Sequence, residues 1–150
     1  DFNGKPGLTD STGLCGSAAN VARPGKRMLS SMTPAIIAKD GKLVAVIGSP
    51  GGRTIINTVL EVALNIMAFD MPIQAAVNAP RLHHQWLPNR ITIERDGVPA
   101  STVSALEKMG HKVQFGGQQG TAHSVMRDPR TKQRIGAPDP RDRDAGAVGY

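Results

Sequence analysis

Two apolar runs, Ala35-Ile36-Ile37-Ala38 and Leu43-Val44-Ala45-Val46-Ile47, flank the polar tetrapeptide Lys39-Asp40-Gly41-Lys42. Asp-Gly between β-branched runs predicts a tight hairpin. Both runs are apolar almost throughout instead of alternating, which predicts strands covered on both faces, in a sheet inside layers. Gly48-Ser49-Pro50-Gly51-Gly52 then ends the second strand. Over 53–69, Ile56, Val59, Leu60, Ala63, Ile66 and Met67 recur at three- and four-residue spacing. That spacing predicts a helix with one apolar stripe. Pro72 marks its end, and 73–78 predicts a short second helix stopped by Pro80.

Ile91-Thr92-Ile93-Glu94 alternates as an edge or half-buried strand does. Pro99 in a first helical turn, with Val103, Leu106 and Met109 after it and Gly110 behind them, predicts a short surface helix. Strands are expected at 112–115 and 122–126, with another at 133–136 after the turn Asp128-Pro129-Arg130. Residues 1–29 carry Gly4, Pro6, Gly7, Gly13, Gly16, Pro24 and Gly25, and predict an ordered excursion with little regular structure. The mixed order of elements, with antiparallel hairpins, predicts an α+β layered fold and not a doubly wound sheet.

Composition bounds this picture. A chain of 150 residues that is 39% hydrophobic suits one core and a single domain over 1–150. Cys15 has no partner within the chain, which excludes a disulfide framework. No apolar run approaches the roughly 18 residues of a membrane span. Residue 1 is Asp, with no basic-then-apolar leader behind it, so the sequence reads as a processed, truncated or excised chain.

The net charge of +6 raises the question of nucleic acid. Its distribution argues against it. The densest basic stretch, 127–143, has Asp128, Asp139, Asp142 and Asp144 in or beside it and no stacking aromatics. A solvated basic face with no nucleic-acid partner is the expectation.

The glycine pair is the main candidate for chemistry. Glycines after a strand and before a helix expose backbone N–H groups, and a helix N-terminus favours negative charge there. The occupant could be a phosphate or a developing oxyanion, and locally a tight structural turn explains the residues as well. The segment lacks the Lys-Ser/Thr ending of a P-loop. Ser30-Ser31 could hold a carboxylate, or simply make a turn or cap. His83 and His84 are adjacent, so in extended chain they face opposite ways. Hydrogen-bonding or packing histidines fit them better than a metal site, and no metal or cofactor is expected.

Taken together, these segments resemble the small-subunit, C-terminal part of gamma-glutamyltransferases along essentially the whole chain. The resemblance is carried by Asp1-Phe2 with Lys5-Pro6-Gly7, by 24–34 with its Ser30-Ser31-Met32, by 48–52, by 78–88 from Asn78-Ala79-Pro80-Arg81 onward, and by 136–141. In the last, Pro138 stands where the family has Ser.

The resemblance implies part of a four-layer αββα N-terminal-nucleophile hydrolase fold, made by a precursor that cuts itself into large and small subunits. It implies transfer or hydrolysis of γ-glutamyl groups from glutathione or related donors through a Thr ester, resolved by water or by an amino acid or peptide. By the same resemblance, Gly51 and Gly52 form the oxyanion hole. Ser30 and Ser31 bind the donor's α-carboxylate, and Asp1 pairs with its α-ammonium. The nucleophilic Thr is expected upstream of Asp1, so the chain alone is expected to be inactive and to need its large subunit. Periplasmic or extracellular placement follows from the resemblance alone. The rival readings are a cephalosporin-acylase-like relative and a non-catalytic anion-binding module.

Overall fold

The structure, a computed structural model, describes residues 2–9, 15–95 and 97–149. Strand β1 (Ala35–Lys39) turns through Asp40 and Gly41, both at positive φ, into β2 (Lys42–Gly48). The Asp-Gly signal thus sits on the two residues whose backbone the turn makes left-handed. Helix α1 (Ile55–Met67) and helix α2 (Ile73–Asn78) follow, then β3 (Leu82–His83), β4 (Ile91–Glu94), α3 (Ala100–Lys108), β5 (Val113–Gly116), β6 (His123–Arg127) and β7 (Arg134–Ala137). The α+β expectation holds.

The strands form two sheets. One has the order β1-β2-β6-β7 and is antiparallel at every pairing. The other has the order β3-β4-β5, with β4 and β5 parallel across the α3 connection. β4 is therefore the central strand of its sheet, not an edge, and Ile91, Ile93 and Glu94 are all buried. Local alternation reports how polar a strand is, and its place in the sheet depends on pairings made elsewhere in the chain.

The four-stranded sheet has two unlike faces. Inward, Ala45, Ile47 and Ala137 join Val59, Val62 and Ile66 of α1 and Ile73, Ala76 and Val77 of α2 in one core. Outward, the register aligns Ile36, Val46, Val125 and Gly136 in a row across all four strands. Ile36 is 74% exposed and Val46 and Val125 stay well exposed. The expectation of two covered faces is thus not met by this chain alone, because it brings its helices to one side only. The apolar character of the strands matches a sandwich of which these residues supply one slice.

Helix α1 departs from its predicted stripe as well. Ile55, Thr58, Val59, Val62 and Ile66 are the buried positions, whereas Ile56, Leu60 and Met67 are about half exposed. A helix apolar on most sides offers several stripes of equal periodicity, and docking on the sheet selects one. α2 takes the bounds its flanking prolines predict. α3 buries no residue, as a surface helix should.

Sheet topology also arranges charge. The β1–β2 and β6–β7 turns lie at the same end of the sheet, gathering Lys39, Lys42, Arg127, Arg130, Lys132 and Arg134 against Asp40 and Asp128. A count along one stretch of sequence does not register this clustering. The opposite end carries the glycine turn.

Candidate oxyanion turn and its support

At that opposite end β2 runs out at Gly48, and Gly51 and Gly52 lead through a single 3-10 turn (Gly52–Thr54) into α1. Gly51 has φ +138° and Gly52 φ +57°, conformations that side-chain-bearing residues resist. The Gly51 carbonyl accepts from the Thr54 N–H at 3.2 Å and the Thr54 hydroxyl at 2.9 Å, closing the turn. Neither the 3-10 turn nor α1 has a side-chain cap on its N-terminal N–H groups. Among the described residues the Gly51 and Gly52 N–H groups donate to nothing. Two unspent donors at an uncapped helix start favour a negative group in front of them.

Ser30 and Ser31 come to the same end of the hairpin. Ala35 pairs with Ile47, so the chain entering β1 and the chain leaving β2 emerge side by side. Ser30 is exposed and accepts the Met32 N–H at 3.1 Å. Ser31 is half-buried, and its carbonyl accepts the Thr33 hydroxyl at 2.9 Å. Both are compact turn residues with hydroxyl capacity left over. Asp1, the remaining predicted contact, lies outside the described residues.

The glycine turn is braced from behind by the segment 119–122. The Ser49 hydroxyl donates to the Pro50 carbonyl at 2.6 Å and accepts the Thr121 N–H at 3.1 Å. A Cβ on Gly51 would lie 2.6 Å from Thr54 Oγ1 and 3.3 Å from Gly120 Cα. A Cβ on Gly120, at φ +61°, would lie 2.5 Å from Thr58 Oγ1 and 2.9 Å from Ser49 Oγ. A side chain on Gly51 would therefore press on Thr54 and the Gly120 backbone, and one on Gly120 on the Thr58 and Ser49 hydroxyls.

What fixes that segment is a buried charge network. Arg81 Nη1 donates to the carbonyls of Gln119, at 2.8 Å, and Gly120, at 3.2 Å. Its Nη2 donates to Asp139 Oδ2 at 2.6 Å and to the Val77 carbonyl at 2.9 Å. Arg141 donates to both Glu94 oxygens and to Asp139 Oδ1. Glu94 also accepts the Arg81 N–H at 3.0 Å and the Gln119 N–H at 2.7 Å. Arg81 and Asp139 are almost fully buried. Burial pushes the Asp139 carboxyl up, but N–H groups of Arg141 and Ala122 and the Arg81 guanidinium outweigh it and hold it below the usual range. Glu94 is held low in the same way, by Arg141, Gln119 and Arg81.

The sequence named 78–88 and 136–141 only as recognisable segments. Their signal was a basic residue beside prolines in each, without a visible partner. The structure makes them one unit, with Glu94 of β4 and Gln119 as members that nothing in the sequence pointed to.

His83 is buried and bonded, its Nδ1 lying 3.0 Å from Asn57 Oδ1 on α1 and its Nε2 2.7 Å from Gln85 Oε1. His84 is half-buried, with Nε2 3.2 Å from Asn89 Oδ1. The two therefore act as separate hydrogen-bonding groups, as their adjacency predicts. Cys15 is exposed, with its Sγ 4.0 Å from the Gly16 carbonyl.

The family model described as Gamma-glutamyltranspeptidase matches residues 1–149. The Escherichia coli (strain K12) glutathione hydrolase proenzyme is 44% identical over 150 residues, covering 100% of this chain and 26% of that protein. The chain therefore spans about a quarter of the length of that curated relative. Among solved structures, a point mutant of Helicobacter pylori gamma-glutamyltranspeptidase has TM-score 0.88 at 43% identity, over 94% of this chain and 77% of that one. A cephalosporin acylase from Bacillus halodurans has TM-score 0.77 at 26% identity, over 87% of this chain and 24% of that one.

Proposed function

The chain belongs to the gamma-glutamyltranspeptidase family, and on that premise we propose that it supplies the oxyanion hole and the donor-carboxylate site of a γ-glutamyl-transferring or -hydrolysing enzyme. The donor is glutathione or a related γ-glutamyl compound. A Thr hydroxyl from elsewhere in the precursor attacks the γ-carbonyl carbon, and the electron pair of the C=O moves onto oxygen. The Gly51 and Gly52 N–H groups receive that oxyanion. Its collapse expels the amine, which takes up the proton the Thr hydroxyl has given up, and leaves a γ-glutamyl ester that water or an amino acceptor then cleaves. Ser30 and Ser31 hold the donor's α-carboxylate, and Asp1 pairs with its α-ammonium. The partner is the large subunit of the same precursor, and the enzyme works in the periplasm or outside the cell.

The observation that carries this reading is the pair of unspent N–H groups at the start of α1, at the hairpin end that also delivers Ser30 and Ser31. The test is kinetic, on the full-length processed enzyme with a chromogenic γ-glutamyl anilide. Ser30→Ala with Ser31→Ala should raise donor KM at least tenfold and lower kcat/KM further. A donor lacking the α-carboxylate should be indifferent to the same change. Equal turnover by wild type and variant would remove the carboxylate role and favour the acylase-like alternative.

A further inference from the structure

Asn57 and Glu61 lie one helical turn apart on α1, and both grip β3. Asn57 meets the His83 ring, and Glu61 Oε1 accepts the Leu82 N–H at 2.9 Å. The other carboxyl oxygen, Glu61 Oε2, is buried and without a partner among the described residues. So is Arg81 Nε, on the residue next to Leu82. An orphaned acceptor on the helix and an orphaned donor on the strand side are thus enclosed at the same seam. An unpartnered buried polar atom is costly, and its retention asks for a role.

We propose that Glu61 is a positioning residue for the oxyanion turn, holding α1 in register against β3 so that the Gly51 and Gly52 N–H groups keep their aim. This rests on the function proposed above. The helix begins at the glycine turn, while Arg81 at the head of β3 holds the Gln119 and Gly120 carbonyls behind that turn. A shift of α1 along β3 therefore moves the N–H pair relative to its brace. Glu61 sets that register.

Ionisation gives the device a signature. Burial pushes the Glu61 carboxyl up to about 7, against the Leu82 N–H and Arg81, with Glu94 adding to the rise and Arg141 opposing it. His83 bonds the same helix one turn away. Below that pH the side chain is a neutral acid that tolerates its enclosure. Above it, a carboxylate with one bare oxygen is drawn towards Arg81 or towards water, and the seam loosens.

The experiment measures kcat and KM of the full-length processed enzyme from pH 5.5 to 9 for wild type, Glu61→Gln and Glu61→Leu. Wild-type kcat should fall through a limb centred about pH 7, and Glu61→Gln, which still accepts the Leu82 N–H but does not ionise, should lack that limb. Glu61→Leu should lower kcat about tenfold at pH 6.5 with donor KM changed less than twofold. An unchanged limb in Glu61→Gln, or a loss confined to KM, overturns the proposal. Should Glu61→Leu fail to fold, Glu61→Gln alone decides it. Thermal midpoints over the same range distinguish the seam from the catalytic function. A stability gap between Glu61→Gln and wild type that widens from pH 5.5 to 8 supports the seam, and coincident curves overturn it. Absence of any γ-glutamyl turnover by wild type overturns the proposed function instead.

Discussion

Arg81 Nη2 lies 2.6 Å from Asp139 Oδ2 with both side chains shut away from solvent, although 58 positions separate them in the chain. The same carboxylate oxygen accepts the Ala122 N–H at 2.6 Å. One ion pair therefore ties the strap before β3 to both ends of the segment that backs the glycine turn.

Asp139→Asn should be among the most damaging single substitutions. It leaves the Arg81 guanidinium buried without its counter-charge, and breaking such a pair from one side costs about 3–5 kcal/mol. Denaturant midpoints of the full-length protein measure the loss. The same variant should lower kcat more than donor KM, because Arg81, which anchors Gly120, loses the carboxylate that fixes it.

Acid should unfold the protein through the same groups. Glu94 and Asp139 are held below their ordinary values by the hydrogen bonds that outweigh their burial. A carboxyl whose folded value is depressed contributes stability present above its unfolded value of about 4 and lost as pH falls through the folded one. On the acid side, stability should therefore decline steeply below about pH 4, and Glu94→Gln should flatten that decline while lowering the plateau. Denaturant titrations from pH 2 to 7 follow both features.

Alanine substitutions separate the two glycines. Gly51→Ala places a methyl against Thr54 and Gly120 at an unfavourable φ, and should cost about 2–3 kcal/mol of stability. Gly52→Ala meets no atom within 4 Å and should cost about 1 kcal/mol for its left-handed backbone. Both variants keep the backbone N–H but turn or obstruct it, and should reduce kcat by up to about a hundredfold, the cost of outright loss of an oxyanion donor. Melting curves paired with turnover distinguish a collapsed turn from a standing turn with a methyl in its mouth.

Ser49→Ala removes the hydroxyl that accepts the Thr121 N–H and leaves that donor unpaired. The expected loss is about 1–2 kcal/mol, with kcat falling several-fold and the donor KM within twofold. Ser49→Thr restores the hydroxyl and should recover most of kcat.

How much of this was legible depended on how far the interacting residues stand apart. The β1–β2 hairpin was readable because Asp40 and Gly41 supply the turn's backbone geometry themselves. α2 was readable because Pro72 and Pro80 bracket it. The glycine turn was readable as a strand-to-helix turn with open backbone N–H groups, and its oxyanion role is what the resemblance of long segments proposes. The buried face of α1 was not readable, since its apolar residues surround the helix. Nor was the brace. Arg81, Glu94, Gln119 and the pair Asp139 and Arg141 lie on four separate segments, and only the pairing of β4 with its neighbours and the return of 136–141 bring them together. β3 escaped notice for the same reason, being two residues long and defined by its partner.

The arrangement of that brace also constrains descent. Each oxygen of Glu94 and Asp139 already serves two donors, so no member can be exchanged singly without stranding another. Lineages diverging from a common ancestor should therefore keep Arg81, Glu94, Asp139 and Arg141 together or replace them together. The segments 78–88 and 136–141, far apart on the gene, then evolve as a single locus, while the surface of α3 between them is free to drift.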